Sequence, residues 1–288
     1  MMDVFAQEKQ RIIEELSETG FSSSHVYYLL GDKGLLMFQE NQEFFKSMRA
    51  DPRISERVER IKSGNPIRDK NKPFEINQYD FLSRAIHLSD ASLIELYLCE
   101  EFLDIARAYL GDDPKIRNVL TWIHPEARQV KRTHSQNWHR DQEDDHNLRI
   151  WIYYSDIASR TGALEYVKSS STGMKNNHIS PNIVDGAFPP HGYLGESHIR
   201  NIPPGDIISA TGQVGTIVFV DTNGIHRGGF VQQGERMKTM ACYLKKDAYQ
   251  IKNGPLFSFN YSQEKVNYCD YESEEFKNLT PRQKNTLE

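Results

Sequence analysis

Apolar residues recur with two different periods along this chain. Up to about residue 112 the spacing is helical. Val4, Phe5, Ile12, Ile13 and Leu16 fall roughly on one face, and Gly20 follows as a stop signal. The run Ser22-Ser23-Ser24 reads as an N-cap region for the HVYYLL segment that follows. A second apolar-periodic stretch covers 35–48. Asp51-Pro52 then opens a charged helix, with Pro52 at its first position. The stretch NPIRDKNKP is a loop, after which helical patterning returns through YDFLSRAIHL and SDASLIELYLCEEFLDIARAYL and closes at Gly111. Beyond Asp113-Pro114 the period falls to two. Alternation predicts strands at 116–123, 129–135, 148–154, 163–167, 198–202, 206–209, 215–220, 225–231 and 236–244, punctuated by Gly, Pro, Asn and Asp.

Strands gathered behind a helical half predict an α+β protein with a jelly-roll or barrel-like sandwich, not an alternating βαβ fold. A single domain over 1–288 is expected. In it, 1–114 is mainly helical support, 115–246 the β core and 247–288 a C-terminal extension. Residues 171–205 are rich in Pro, Gly, Asn and His with little strand signal, which is expected of a lid or binding insert.

Composition narrows the function. A hydrophobic fraction of 38% with 11% aromatics supports a packed core. The net charge of −5 leaves no excess of cations for a nucleic-acid partner or a polybasic membrane anchor. The 3 cysteines, Cys99, Cys242 and Cys269, are far apart and lack a C-x-x-C, so neither a disulfide framework nor a cysteine zinc site is expected. Acids occupy the N-terminus where a signal peptide needs an apolar stretch, and the longest apolar runs, such as 216–220, are too short for a bilayer. The expectation is a soluble cytoplasmic protein acting on a small molecule, without membrane or nucleic acid.

The candidate chemistry lies at His139-Arg140-Asp141. Two side chains separated by one residue point to the same side of an extended backbone, so an imidazole and a carboxylate can grip one ion. A second histidine completes a two-histidine, one-carboxylate facial triad, the arrangement typical of non-haem Fe(II). Alone, H-x-D is more often a surface turn. Here the strand GTIVFVD leads into Thr222-Asn223-Gly224-Ile225-His226, and Arg236 follows ten residues later. A hairpin turning at Gln232-Gln233-Gly234 would put His226 and Arg236 on one face, roughly 13 Å apart along the strand. A five-carbon diacid on the metal, clamped at its far carboxylate by the guanidinium, would fill that gap. An irregularity at Gly228-Gly229 would break this parity.

Two stretches, QNWHRDQEDDHNLRIWIYYSDIASRTGALEYV and ATGQVGTIVFVDTNGIHRGGFVQQGERMKTMACYL, resemble the metal-binding core of the phytanoyl-CoA dioxygenase-like family. The resemblance covers roughly 115–246. It implies a double-stranded β-helix and an Fe(II)- and 2-oxoglutarate-dependent oxygenase that consumes O2 and releases succinate and CO2. It also implies His139, Asp141 and His226 as iron ligands, with Arg236 on the C5 carboxylate of 2-oxoglutarate. Family members often carry Pro-Gly-Ser-His after the strand matching 163–167; this chain reads KSSSTG there. Related halogenases have a small residue at the carboxylate position, so Asp141 argues against halogenation and leaves hydroxylation, desaturation, ring closure or epimerisation open.

Arg149 opens the strand after the motif and is a candidate co-substrate or substrate contact. Of Gln136 and Asn137, only one can face inward, and Asn137 is the favoured hydrogen-bonding partner of the site. Phe188, His191 and Tyr193 are candidate lid residues. His124 with Glu126, and His191 with Arg200, mimic parts of the motif without its context. His134 and His146 suit structural roles, and the run Glu143-Asp144-Asp145 suits a solvated turn. Two alternatives remain open at this point: a metal-dependent β-barrel enzyme that does not use 2-oxoglutarate, and a non-catalytic ligand-binding barrel.

Overall fold

The computed structural model describes residues 4–64, 74–82, 90–127, 131–132, 134–141, 143–174, 193–194, 196–248 and 274–287. The described elements follow the chain as α1 (Val4–Thr19), β1 (Phe21–His25), α2 (Val26–Leu29), α3 (Asp32–Ala50), α4 (Pro52–Lys62), β2 (Ile76–Asn77), α5 (Gln78–Leu82), α6 (Glu100–Leu110) and β3 (Pro114–Pro125). Then come β4 (Trp138–His139), β5 (Leu148–Tyr153), β6 (Leu164–Val167), β7 (Tyr193–Leu194), α7 (Glu196–Ile199), β8 (Ile207–Ala210), β9 (Thr216–Asp221), β10 (His226–Arg227) and β11 (Glu235–Lys245). Short helices at Glu274–Lys277 and Pro281–Leu287 follow. Among the described residues no helix is long and apolar enough to cross a membrane.

The helical half forms for local reasons. Asp51 caps α4 by accepting from the Arg53 backbone N–H, with Pro52 at the first position. Gly111 ends α6 in the left-handed conformation, φ 78°, which costs glycine little. The inner face of α6 buries Phe102, Leu103, Ile105, Ala106 and Leu110. Each of its larger apolar side chains contributes about 1.5–3 kcal/mol of transfer free energy.

The strands form two antiparallel sheets. The larger has the order β1-β9-β5-β11-β3-β2, the smaller β7-β4-β10-β6-β8. Alternation along the large sheet sorts its residues. Ile150, Ile152, Ile217, Phe219, Ala241 and Tyr243 join the core shared with the helices. Trp151, Tyr153, Val218, Val220, Met240, Cys242 and Leu244 join a second core toward the small sheet. The helices therefore back one face of the large sheet, and the other face is left to line the space between the sheets.

Several expectations need correction. The serine run is not an N-cap region but edge strand β1, paired with β9 from Phe21↔Val220 to His25↔Thr216. Its polar side chains tolerate this because α1 answers them: Ser22 Oγ donates to Glu15 at 2.7 Å, and Ser24 Oγ to Glu8 at 2.5 Å. The stretch expected as a strand at 198–202 begins inside α7. Within 129–135, residues 134 and 135 begin a short 3-10 turn, so no strand runs there among the described residues. The expected strand at 225–231 shrinks to β10. His226–Arg227 pairs with β4 and β6 in the small sheet, whereas β11 pairs with β3 and β5 in the large one. The segment from Gly228 to Gly234 thus crosses between sheets and is not a hairpin, and the parity relating His226 to Arg236 does not hold. Most of the expected insert, with Phe188 and His191, lies outside the described residues, as does Cys269; Cys99 and Cys242 are free thiols.

Candidate active site

His139 ends β4, and its neighbour across the strand pair is His226 on β10. This register brings the two imidazoles to 4.2 Å between ring centroids. Asp141 follows β4 by two residues and is fixed by its own backbone: its N–H donates to the Thr222 carbonyl at 2.8 Å, on the turn that leads into His226. Asp141 Oδ1 lies 3.7 Å from His139 Nε2, and Oδ2 lies 3.6 Å from His226 Nε2. One ligand atom from each of the three residues falls within 4.8 Å of the others.

The donor set suits a divalent cation. Each imidazole is oriented through its other nitrogen by a carbonyl two residues earlier: His139 Nδ1–H by Asn137 at 2.8 Å, and His226 Nδ1–H by Gly224 at 2.9 Å. That tautomer leaves both Nε2 atoms as lone-pair donors facing the carboxylate. Burial, and then the neighbouring His139, push His226 down to about 3, so its ring is neutral. Burial favours the neutral acid at Asp141, but the Arg149 guanidinium and both imidazoles outweigh it and hold the carboxylate ionised.

Arg149, on β5, comes from the opposite sheet. Its Nη2 lies 2.8 Å from Asp141 Oδ2 and 2.9 Å from Glu143 Oε1. Burial opposes its charge, and those two carboxylates raise its pKa in spite of it. It lines the cavity, but its guanidinium is engaged by the site's own acids. Glu143 was expected in a solvated turn and is instead 7% exposed. It also accepts from Arg117 at 2.8 Å and from Asn147 Nδ2 at 3.2 Å. Sequence reasoning missed it because an acid run resembles a surface turn whichever member turns inward.

A cavity of about 570 Å³ opens between the sheets, with His139, His226, Arg149, Arg236, Trp151 and Lys238 on its wall. Arg236 stands on β11 opposite His124 of β3. It is 7% exposed, and its guanidinium reaches the small sheet, donating to the carbonyls of Gly162 and Gly229. Its Nε is buried without a hydrogen-bond partner. Burial lowers the guanidinium to about 10, so it stays protonated at neutral pH. No carboxylate of the described residues forms an ion pair with it, which fits a cation kept for an acid that arrives with a ligand. Gly162 is required there. At φ +83°, a Cβ would stand 2.8 Å from Arg236 Nη1 and 2.8 Å from the Gly229 carbonyl.

The remaining candidates separate clearly. The side-chain amide of Asn137 donates to the His134 carbonyl at 3.2 Å, and Gln136, not Asn137, lines the cavity. The parity argument fails because these residues leave a 3-10 turn rather than a strand. Asn137 serves the site through its carbonyl instead. Tyr193 pairs with His139 across β7 and β4, with ring centroids 5.8 Å apart. His146 is structural, held between Asp221 and the Gly173 carbonyl at 2.9 Å each. His124 lines the cavity, with Glu75 3.6 Å away. The KSSSTG segment does not line it. Ser170 Oγ accepts from the Ile225 N–H at 2.7 Å, and Thr172 donates twice to Asn223 Oδ1 at 2.7 and 2.8 Å, so the segment braces the turn before His226.

Two facing antiparallel sheets with this site between them and helices behind make a double-stranded β-helix. Solved structures share the fold at low identity. The epimerase SnoN, in complex with Fe3+, alpha ketoglutarate and nogalamycin RO, aligns with a TM-score of 0.54 at 12% identity, over 91% of this chain and 94% of its own. EctD from S. alaskensis with 2-oxoglutarate and 5-hydroxyectoine gives 0.51 at 15%, over 82% and 75%. AviO1 from Streptomyces viridochromogenes Tue57 gives 0.52 at 17%, over 83% and 96%. No protein-family profile and no curated protein sequence matches the chain.

Proposed function

We propose that this chain is an Fe(II)- and 2-oxoglutarate-dependent oxygenase of the phytanoyl-CoA dioxygenase-like kind, acting on a C–H bond of a small-molecule metabolite. The observation that carries the reading is the grouping of His139, Asp141 and His226 beside a cavity also lined by Arg236, which forms no ion pair among the described residues. Structural neighbours whose described ligands include iron and a 2-oxo acid support it at the level of the fold.

In this reading His139, Asp141 and His226 hold the metal, and Arg236 holds the C5 carboxylate of 2-oxoglutarate in a charge-assisted pair. When bound, iron with 2-oxoglutarate and O2 supplies the oxidising power for C–H cleavage, with succinate and CO2 as co-products. The protein's own residues do the rest. The carbonyls of Asn137 and Gly224 accept from the Nδ1–H of the two imidazoles and so aim both Nε2 atoms at the Asp141 carboxylate. Arg149 holds the Asp141 carboxylate through Oδ2, and the buried wall of Trp151 and Met240 limits water near the site. The carboxylate at Asp141 favours oxygen-transfer, desaturation, cyclisation or epimerisation outcomes over halogenation.

The test is substrate-independent. Succinate release from 2-oxoglutarate, with iron supplied anaerobically before O2, should occur at a slow uncoupled rate in the wild type and vanish in His226→Ala. Absence of iron-dependent turnover in the wild type would favour a metal barrel of another kind.

A further inference from the structure

Arg236 and Lys238 stand two residues apart on β11, so both project from the inner face of the large sheet, about 7 Å apart at Cα. Both line the cavity. Lys238 Nζ sits 4.2 Å from the ring centroid of Trp151 and 5.3 Å from that of Trp122. Indole faces attract the ammonium but accept none of its three hydrogens as a carboxylate would. The Trp151 indole N–H in the same wall is buried and has no acceptor among the described residues. Burial, and then the neighbouring Arg236, depress the lysine's pKa well below its ordinary value, a strain that an arriving anion would relieve.

The charges around the cavity make the surplus concrete. Arg117 and Arg149 are answered by Glu143 and Asp141. Among the carboxylates of the described residues, only Glu75 acts on both Arg236 and Lys238, and it lies 3.6 Å from His124. With Fe(II) and the dianion 2-oxoglutarate cancelling each other, a Lys238 that takes up its proton as an anion arrives leaves one positive charge for that anion to answer. A five-carbon keto diacid chelating the metal has one free carboxylate, which Arg236 takes. It has no second one for Lys238.

We infer that Lys238, boxed between Trp122 and Trp151, recognises an anionic group of the primary substrate, a carboxylate, sulfate or phosphate ester, seated beside the co-substrate. This rests on the proposed function, because it assigns the co-substrate to Arg236.

The probe is inorganic sulfate, titrated at constant ionic strength into the full-length protein already loaded with Fe(II) and saturating 2-oxoglutarate under anaerobic conditions. The readout is intrinsic tryptophan fluorescence, since two of the 3 tryptophans flank the lysine. The wild type should give a saturable change. Lys238→Met should lose it while its 2-oxoglutarate affinity stays within about threefold of wild type, and Lys238→Arg should retain it. Three results would overturn the inference: no saturable response in the wild type, an unaltered response in Lys238→Met, or a loss of about tenfold or more in that variant's 2-oxoglutarate affinity, which would assign the lysine to the co-substrate. If the loading step itself fails in the wild type, the functional reading falls first, and the two failures are read in separate steps.

Discussion

In the proposed reading His139, Asp141 and His226 hold the metal and Arg236 the co-substrate, and three of these four residues make separable predictions. His226→Ala removes a buried donor whose ring is already neutral, so iron binding should be abolished or fall by orders of magnitude in an equilibrium titration. Asp141→Gly leaves two imidazoles and a vacant coordination position. It should retain some iron while losing hydroxylation, and wild-type turnover in that variant would remove Asp141 from the ligand set. For Arg236, Lys keeps the charge but loses the planar fork, and should raise the 2-oxoglutarate KM. Ala should raise it further, by about 2–3 kcal/mol of lost binding, with metal affinity unchanged. The grouping of His139, Asp141 and His226 was legible in the sequence because H-x-D, the strand GTIVFVD and a distant His and Arg form a pattern far longer than chance supplies. Glu143 was not, because nothing in an acid run marks which carboxylate turns inward to meet Arg117 and Arg149.

At the scale of elements, the site depends on how β4, β10 and β11 are held. The longer strands were readable, β3 by its alternation and β5, β9 and β11 as apolar stretches bounded by turn signals. The strands that carry His139 and His226, β4 and β10, are two residues each, too short for any period to register. Their pairing is set by tertiary contacts, among them the Asp141 N–H on the Thr222 carbonyl. The hairpin expected between His226 and Arg236 failed because the chain passes from one sheet to the other there, with Gly229 packed so closely on the Gly162-Ala163 backbone that a Cβ would stand 2.6 Å from the Ala163 carbonyl. Two predictions belong here. Glu143→Gln leaves Arg117 and Arg149 sharing fewer negative charges, and should weaken iron binding about tenfold through misplacement of Asp141, as second-sphere changes around metals typically do. 2-Oxoglutarate affinity of the fully loaded protein should hardly change. Gly162→Ala forces a Cβ against Arg236 Nη1 at a positive φ, so it should raise the 2-oxoglutarate KM several-fold while leaving iron stoichiometry intact. An unchanged KM would mean the guanidinium does not need its present anchorage.

For the whole molecule, the helical half and the large sheet share one core, and the space between sheets is left for chemistry. That division was visible as the change of period near residue 113, and the sandwich followed from it. A buried site also links stability to pH. Burial, then Arg236, lowers His124 from 6.5 to about 3 in the folded state. The unfolded chain therefore binds the extra proton first, and stability is full above about 6.5 and falls as pH drops toward 3. Replacing His124 with Gln should flatten the acid side of the melting-temperature profile of the metal-free protein, and an unaltered slope would show that His124 does not titrate this way. The central claim is that one metal and one keto acid share this cavity, and the direct measurement is an anaerobic titration with Fe(II) and then 2-oxoglutarate, followed in the visible. The wild type should bind one iron per chain and develop a weak metal-to-ligand charge-transfer band on adding the keto acid, and His226→Ala should show neither. An iron-loaded wild type that gives no band with 2-oxoglutarate, or a His226→Ala variant with the same iron and the same band, would contradict it.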